Sequence, residues 1–208
     1  PGGAQIITEI AISPFNLAER INRGIDIELG YRLPVPGLFA GGDGELQLRA
    51  LATHFLENFL DDGIQRPTDT VGQNSGDGPP DWLYRLSAGY LTGPVTFTVT
   101  GRGVSNGVYD NSFVEGTSGC PLSTVDNRTI NNNRIAGQLT GDATLAYDFG
   151  ESSDRSMEVF FSVRNMFNKD PAIVAPGPAG SAYGTPATNP THYEQIGRQF
   201  RLGFRMKL

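Results

Sequence analysis

Residues 197–208 have the sequence GRQFRLGFRMKL, and this stretch decides the fold class of the chain. Every second position is apolar: Phe200, Leu202, Phe204, Met206 and Leu208. The positions between them are Gln199, Arg201, Gly203, Arg205 and Lys207. Because successive side chains of a strand point to opposite faces, one face of such a strand is apolar and the other is cationic. A helix with about 3.6 residues per turn would scatter the same residues around its surface, so the alternation predicts a strand.

The length of this alternation indicates a membrane-spanning strand. It exceeds the roughly five or six residues of an ordinary globular strand and suits the roughly 9–11 residues that a tilted strand needs to cross a bilayer. We therefore expect the closing strand of an outer-membrane β-barrel, with its apolar face toward lipid and its basic face toward the lumen. On this interpretation Arg201, Arg205 and Lys207 face the lumen.

The same two-faced pattern recurs along the chain about eight times. The predicted strands cover residues 6–12, 21–33, 45–53, 82–90, 95–102, 138–149, 157–164 and 197–208. Connections after the second, fourth and sixth strands are short, whereas residues 61–80, 103–134 and 165–195 form long irregular segments. This layout is typical of an antiparallel transmembrane β-barrel with short periplasmic turns and long extracellular loops. The sequence therefore predicts an all-β barrel segment.

Composition excludes several other classes of protein. The chain has 38% hydrophobic residues and no apolar run near the roughly 18–20 residues of a spanning helix, which excludes a helical membrane protein. Its net charge of -6, without a basic patch, disfavours nucleic acid as a partner. Cys120 is the one cysteine, so it either pairs with a cysteine outside this chain or remains a free thiol.

No catalytic, cofactor-binding or metal-binding residues are predicted. The sequence lacks a Gly-x-Ser-x-Gly elbow, a His-Glu-x-x-His pair and a phosphate-binding glycine loop. The aspartates of residues 61–81 lack the spacing of a calcium loop. His54 and His192 lie far apart without a metal-ligand pattern, and we expect both in loops or at a rim. The sequence therefore does not predict an enzyme.

Several motifs resemble those of one family. Residues 160–171 (FFSVRNMFNKDP) resemble the strand-and-loop signature near the end of TonB-dependent outer-membrane receptors, in which an apolar strand closes on Asn-Leu-Phe-Asp/Asn-Lys and a proline. Residues 193–200 (YEQIGRQF) are similar to the final segment of that family. Residues 103–110 (GVSNGVYD) and 22–28 (NRGIDIE) resemble its strand patterns. The chain departs from the family at Leu208, where an aromatic residue is usual.

The resemblance implies a receptor-transporter in the outer membrane of a Gram-negative cell. It would actively take up a scarce nutrient, such as a siderophore, vitamin, metal chelate or oligosaccharide. Its partners would be membrane lipid, its own plug domain and the TonB energy-coupling complex. Since family barrels have about 22 strands around a plugged lumen, residues 1–208 are expected to be the C-terminal portion, with the plug and earlier strands absent.

The long segments would then supply ligand contacts, because cargo arrives from outside. The candidate ligand-contact residues are Tyr109, Phe113, Tyr183, His192 and Tyr193, whose rings suit stacking on a ring or a saccharide. Arg164 joins Arg201, Arg205 and Lys207 as a predicted lumen-facing residue.

Two alternatives stay open. An independent eight-stranded outer-membrane barrel would act as an anchor, adhesin or enzyme, because eight strands close around a side-chain-filled interior. A soluble β-sandwich binding module would instead pack its apolar faces against each other in water.

Overall fold

The computed structural model describes residues 19–36, 42–76, 78–150, 156–174 and 187–207, and these form strands connected by loops. The strands are β1 (Glu19–Pro34), β2 (Gly44–Asp61), β3 (Thr68–Asp69), β4 (Trp82–Thr92), β5 (Val95–Val104), β6 (Gly107–Val108), β7 (Val114–Glu115), β8 (Thr129–Ile130), β9 (Arg134–Ile135), β10 (Gln138–Asp148), β11 (Ser156–Arg164) and β12 (Gln199–Lys207). Among these residues no helix is long and apolar enough to cross a membrane.

The seven long strands form one antiparallel sheet in the order β1-β2-β4-β5-β10-β11-β12. Each long strand pairs with its neighbour along the chain, and the short strand β3 adds to β2. Two further pairs of short strands, β6-β9 and β7-β8, lie within the long segment after β5. The all-β antiparallel prediction is therefore confirmed, while the strand predicted at residues 6–12 lies outside the described residues.

The third predicted strand was placed too short. It was expected over residues 45–53, but β2 continues to Asp61. The pairing with β1 shifts register so that Arg23 faces Glu57 and Gly24 faces Phe55, which leaves Leu56 as an extra residue. Such a bulge reverses the parity of every residue beyond it, so the apolar alternation stops in the sequence although the strand continues.

Connection lengths alternate as predicted. Residues 35–43, 93–94 and 149–155 make the short connections, and residues 62–81, 105–137 and 165–198 make the long ones. Because neighbouring strands are antiparallel, all three long segments emerge at the same end of the strands. We call this the loop end of the sheet, because the loops meet one another there.

One face of the sheet is apolar across all seven long strands. The register aligns one apolar row through Tyr31, Leu48, Ala88, Val99, Ala143, Val163 and Phe200. Large side chains on this face are exposed, with Leu202 at 77% and Phe204 at 72%. The β-sandwich alternative needs a second sheet over this face, and the described residues place none there.

The opposite face carries polar and charged side chains. Arg49 Nη2 lies 2.7 Å from Glu28 Oε1, and Thr53 Oγ1 donates to Asp26 Oδ1 at 2.6 Å. At the other end of the sheet, Arg205 Nη1 lies 2.8 Å from Glu158 Oε1. We call this the polar face, and its cross-strand pairs satisfy charges that the alternation brings to the same side.

The sheet is open in the part of the chain that the structure describes. There β1 pairs only with β2, and β12 pairs only with β11. Each of these outer strands has one edge whose backbone groups are not paired within the sheet. The structure thus shows a large antiparallel sheet and not a closed barrel.

Candidate binding cleft

The three long segments pack together at the loop end of the sheet. Val104, Ile135, Val174 and Tyr193 form a buried apolar cluster, and Tyr109 packs against it. These residues come from the end of β5, the segment after it and the segment after β11. The segments therefore form one packed layer, which we call the cap.

Asn74 holds the cap together from its centre. This fully buried residue lies after β2, and its Nδ2 donates to Ser105 O and to Tyr193 Oη, both at 2.9 Å. Asn189 Nδ2 in turn donates to Asn74 O at 3.0 Å, and Tyr193 Oη donates to Ala136 O at 3.0 Å. Through its Nδ2 group, this one side chain connects all three long segments.

Asn165 fixes the exit of β11. It is fully buried and has a left-handed backbone, with φ of 49°. Its Oδ1 accepts from Lys169 N at 2.8 Å, and its Nδ2 donates to Lys169 O at 3.0 Å and to Ile196 O at 3.4 Å. Asn168 Oδ1 also accepts from Arg198 N at 2.9 Å. The two sequence segments that resemble TonB-dependent receptors, residues 160–171 and 193–200, therefore lie against each other.

A cleft of about 530 Å³ lies between the cap and the polar face. Residues 190–196 form one wall, and β2, β4, β5 and β10 form the floor. In the register, Leu51, Arg85, Arg102 and Thr140 make one row across these four strands. The volume of the cleft lies within the range of roughly 300–1,000 Å³ that is usual for small-molecule sites.

An ionic chain ties the wall of the cleft to its floor. Glu194 Oε2 lies 2.6 Å from Arg164 Nη2 and 3.6 Å from Arg102 Nη2. Arg102 Nη2 also lies 3.0 Å from Asp142 Oδ2. Only 10% of the Glu194 side chain is exposed, so the cap residue is held between two arginines of the sheet. Its backbone N–H donates to Gln138 Oε1 at 2.9 Å.

The predicted ligand-contact residues fall in different surroundings. His192 and Tyr193 line the cleft, while Tyr109 and Phe113 lie half-buried in the segment after β5. Tyr193 is 3% exposed and its hydroxyl bonds within the cap, so its main contacts are structural. Tyr183 lies outside the described residues. The role of these residues in ligand binding stays a prediction.

The predicted lumen-facing residues share the polar face. Arg164 lines the cleft, and Arg201 and Arg205 lie further along β12, where Arg205 Cζ is 5.1 Å from the centre of the Phe160 ring. For Lys207 only the backbone, at the end of β12, is described. That this face borders a lumen stays a prediction.

His54 was expected in a loop or at a rim. It lies within β2, opposite Trp82, which is the first residue of β4. Its ring stacks on Trp82 with a centroid distance of 4.2 Å. The strand continues past His54 through the bulge at Leu56, where the sequence alternation is interrupted. Cys120 is exposed with a free thiol, and the described residues hold no cluster of three or more metal-ligating side chains.

Several residues of the cap and the cleft were not predicted from the sequence, although Arg164, His192 and Tyr193 were. Asn74, Arg85 and Arg102 belong to no motif, and Glu194 lies within residues 193–200 without a predicted role of its own. The cleft brings together residues more than 100 positions apart, such as Arg85 and Glu194. The strand alternation did contain one usable signal, because it places Arg85 and Arg102 on the polar side of adjacent strands.

Comparison with protein-family models, with curated proteins and with solved structures gives no significant match.

The buried hydrogen bonds of Asn165 give a first prediction. Asn165→Gly should lower the free energy of unfolding by about 1–3 kcal/mol, because it removes three hydrogen bonds of a buried side chain. Asn165→Ala should cost about 1 kcal/mol more, since a β-carbon is strained in the left-handed region. Denaturant titration in detergent micelles measures both. An alanine variant as stable as the glycine variant would contradict the backbone part of this account.

The buried Tyr193 gives a second prediction, on pH. Burial raises the pKa of Tyr193, opposed by the hydrogen bond from Asn74. A raised folded-state pKa means that the neutral phenol adds stability below the ordinary pKa of about 10, and that this stability is lost as the pH rises through the raised value. Stability should therefore fall above about pH 10, and Tyr193→Phe should flatten that fall.

The measurement is denaturant titration at a series of alkaline pH values, with phenolate absorbance followed in parallel. Tyr147→Phe is the matched control, because Tyr147 is exposed and lies on the apolar face. Its alkaline profile should match that of the unsubstituted protein. Equal profiles for Tyr193→Phe and Tyr147→Phe would mean that Tyr193 is not the group responsible.

Proposed function

We propose that the chain forms part of the wall of a TonB-dependent outer-membrane receptor that takes up a scarce nutrient. The observation that carries this proposal is the apolar face, which is continuous across seven long strands and backed by an ionic polar face. Monomeric soluble proteins rarely expose contiguous apolar patches beyond a few hundred Å². Lipid is the environment in which such a face is stable.

Strand length supports a membrane location. β4 and β10 each contain 11 residues. From the first to the last Cα atom, at about 3.3 Å per residue, they extend roughly 33 Å, and a tilt of about 40° reduces their height to roughly 25 Å. That height equals the apolar band of about 25 Å on outer-membrane barrels.

The choice of family rests on the two signature segments. Residues 160–171 and 193–200 resemble the family, and hydrogen bonds from Asn165 to Ile196 and from Arg198 to Asn168 join them at the loop end of the sheet. A shared structural task for both segments supports the family proposal over an unrelated small barrel. The independent anchor, adhesin or enzyme has no such observation in its favour.

Each part of the structure has a place in this function. The apolar face contacts membrane lipid, and the polar face borders the lumen and the plug domain. The cap and its cleft lie at the loop end of the sheet, which is the extracellular side in such receptors. Cargo enters from that side, and energy for its passage comes from the inner-membrane coupling complex. The chain carries out binding and transport and forms no covalent bond to its cargo.

The assignment of faces gives a third prediction. Leu145→Arg places a charge in the apolar row of Phe97 and Phe161, whereas Thr144→Arg places it in the polar row of Thr98 and Ser162. In lipid, arginine on the apolar face should cost about 2–4 kcal/mol near the midplane, and the neighbouring substitution should cost far less. Denaturant titration of the protein in lipid vesicles measures both. Equal costs at the two positions would exclude a lipid-facing apolar side.

Transport is tested in Gram-negative cells that express the full-length protein. Uptake of radiolabelled candidate nutrients should require the protein, and it should stop when the gene of the TonB coupling protein is deleted. Outer-membrane localisation together with uptake that survives the deletion would contradict TonB dependence and would favour an independent barrel. Recovery of the protein in the soluble fraction would overturn the membrane proposal itself.

A further inference from the structure

We propose that Arg85 and Arg102 form a binding site for a carboxylate group in the cleft beneath the cap. The ligand class is a small organic acid, or an acidic side chain from another part of the same protein that presents the same chemistry. As an assignment of cargo, the inference rests on the proposed function, but carboxylate binding is measurable whether or not the protein transports anything.

The first observation is a pair of arginines that the fold places side by side. Arg85 on β4 lies directly opposite Arg102 on β5 in the antiparallel register, and both line the cleft. Like charges that face each other across two strands destabilise a sheet. An anion bound between them would convert that repulsion into attraction, which is a physical reason for a site here.

The second observation is that these arginines hold unused hydrogen-bond donors. Within the described part of the chain, Arg85 is exposed and makes no hydrogen bond or ion pair with another residue. Arg102 contacts Asp142 and Glu194 through Nη2, while its buried Nε has no partner there. The guanidinium fork matches the two oxygens of a carboxylate, so the free donors fit this ligand.

The third observation is the local charge balance. Arg85, Arg102 and Arg164 line the cleft together with a single carboxylate, Glu194. Glu194 is already engaged by Arg164 at 2.6 Å, and adding Asp142 still leaves one positive charge in excess. This surplus stands out in a chain whose net charge is -6. The cleft therefore attracts an anion that the rest of the chain would repel.

The remaining lining sets the size and character of the ligand. Leu51, Leu83, Val104 and Ile196 border the same cleft and give it an apolar side. A cleft of about 530 Å³ holds a small molecule. The site therefore suits an organic acid with a carbon skeleton, because that skeleton contacts the apolar side while the carboxylate lies between the arginines.

The test is titration calorimetry of the full-length protein in detergent, with citrate as the probe. Citrate should bind, and Arg85→Gln should weaken binding about tenfold to a hundredfold, because it removes a charged hydrogen-bond donor. Arg85→Lys should fall between the two, since lysine keeps the charge and loses the fork. Arg32→Gln is the matched control, because Arg32 is an exposed arginine of the polar face outside this cleft. It should bind citrate like the unsubstituted protein.

A second measurement separates the two sources of the carboxylate. If citrate does not bind but Arg85→Gln lowers the denaturation midpoint while Arg32→Gln does not, a carboxylate of the protein itself occupies the site, and the proposal holds in that form. If citrate binding is absent and the two variants are equally stable, the proposal is overturned. Citrate binding that is equally strong in Arg85→Gln also overturns it. The uptake experiment is scored separately, so loss of transport does not decide this outcome.

Discussion

The register between neighbouring strands is the constraint on which the rest of this structure depends. Side chains alternate with a period of two, so a slip of one residue would move an entire apolar row to the polar face. The pairing keeps Tyr31, Leu48 and Ala88 in one row and continues that row to Phe200. Where the parity of β2 does change, at Leu56, a bulge absorbs the extra residue and the pairing with β1 continues beyond it.

The cap follows from the order of the strands. Because each long strand pairs with its neighbour in the chain, the long segments all emerge at the loop end of the sheet and are close enough to pack. Asn74 then connects them through hydrogen bonds, and Glu194 anchors the cap to Arg102 and Arg164 on the sheet. The loops are therefore held by buried polar contacts, which depend on all partners being present at once.

The sequence predicted what depends on local periodicity and not what depends on distant pairing. The seven long strands, their two-faced character and the alternating connection lengths follow from alternation within each segment. The extension of β2 did not, because the bulge at Leu56 interrupts the pattern. Asn74 and Glu194 were missed because their roles depend on segments that meet only after the sheet has formed. Asn165 was within reach, since its motif marks a strand exit.

The polar face carries both paired charges and one pair of like charges that face each other. Along most of it, charges are paired by cross-strand partners, as in Arg49 with Glu28 and Arg205 with Glu158. Such pairs are what a sheet requires to hold many ionic groups on one side. Arg85 has no such partner among the described residues, and it lies directly opposite Arg102 in the cleft beneath the cap. In natural proteins, local rules are broken mainly at functional sites, because a ligand supplies the missing partner. The placement of Arg85 directly opposite Arg102 is thus better explained by anion binding than by the stability of the sheet.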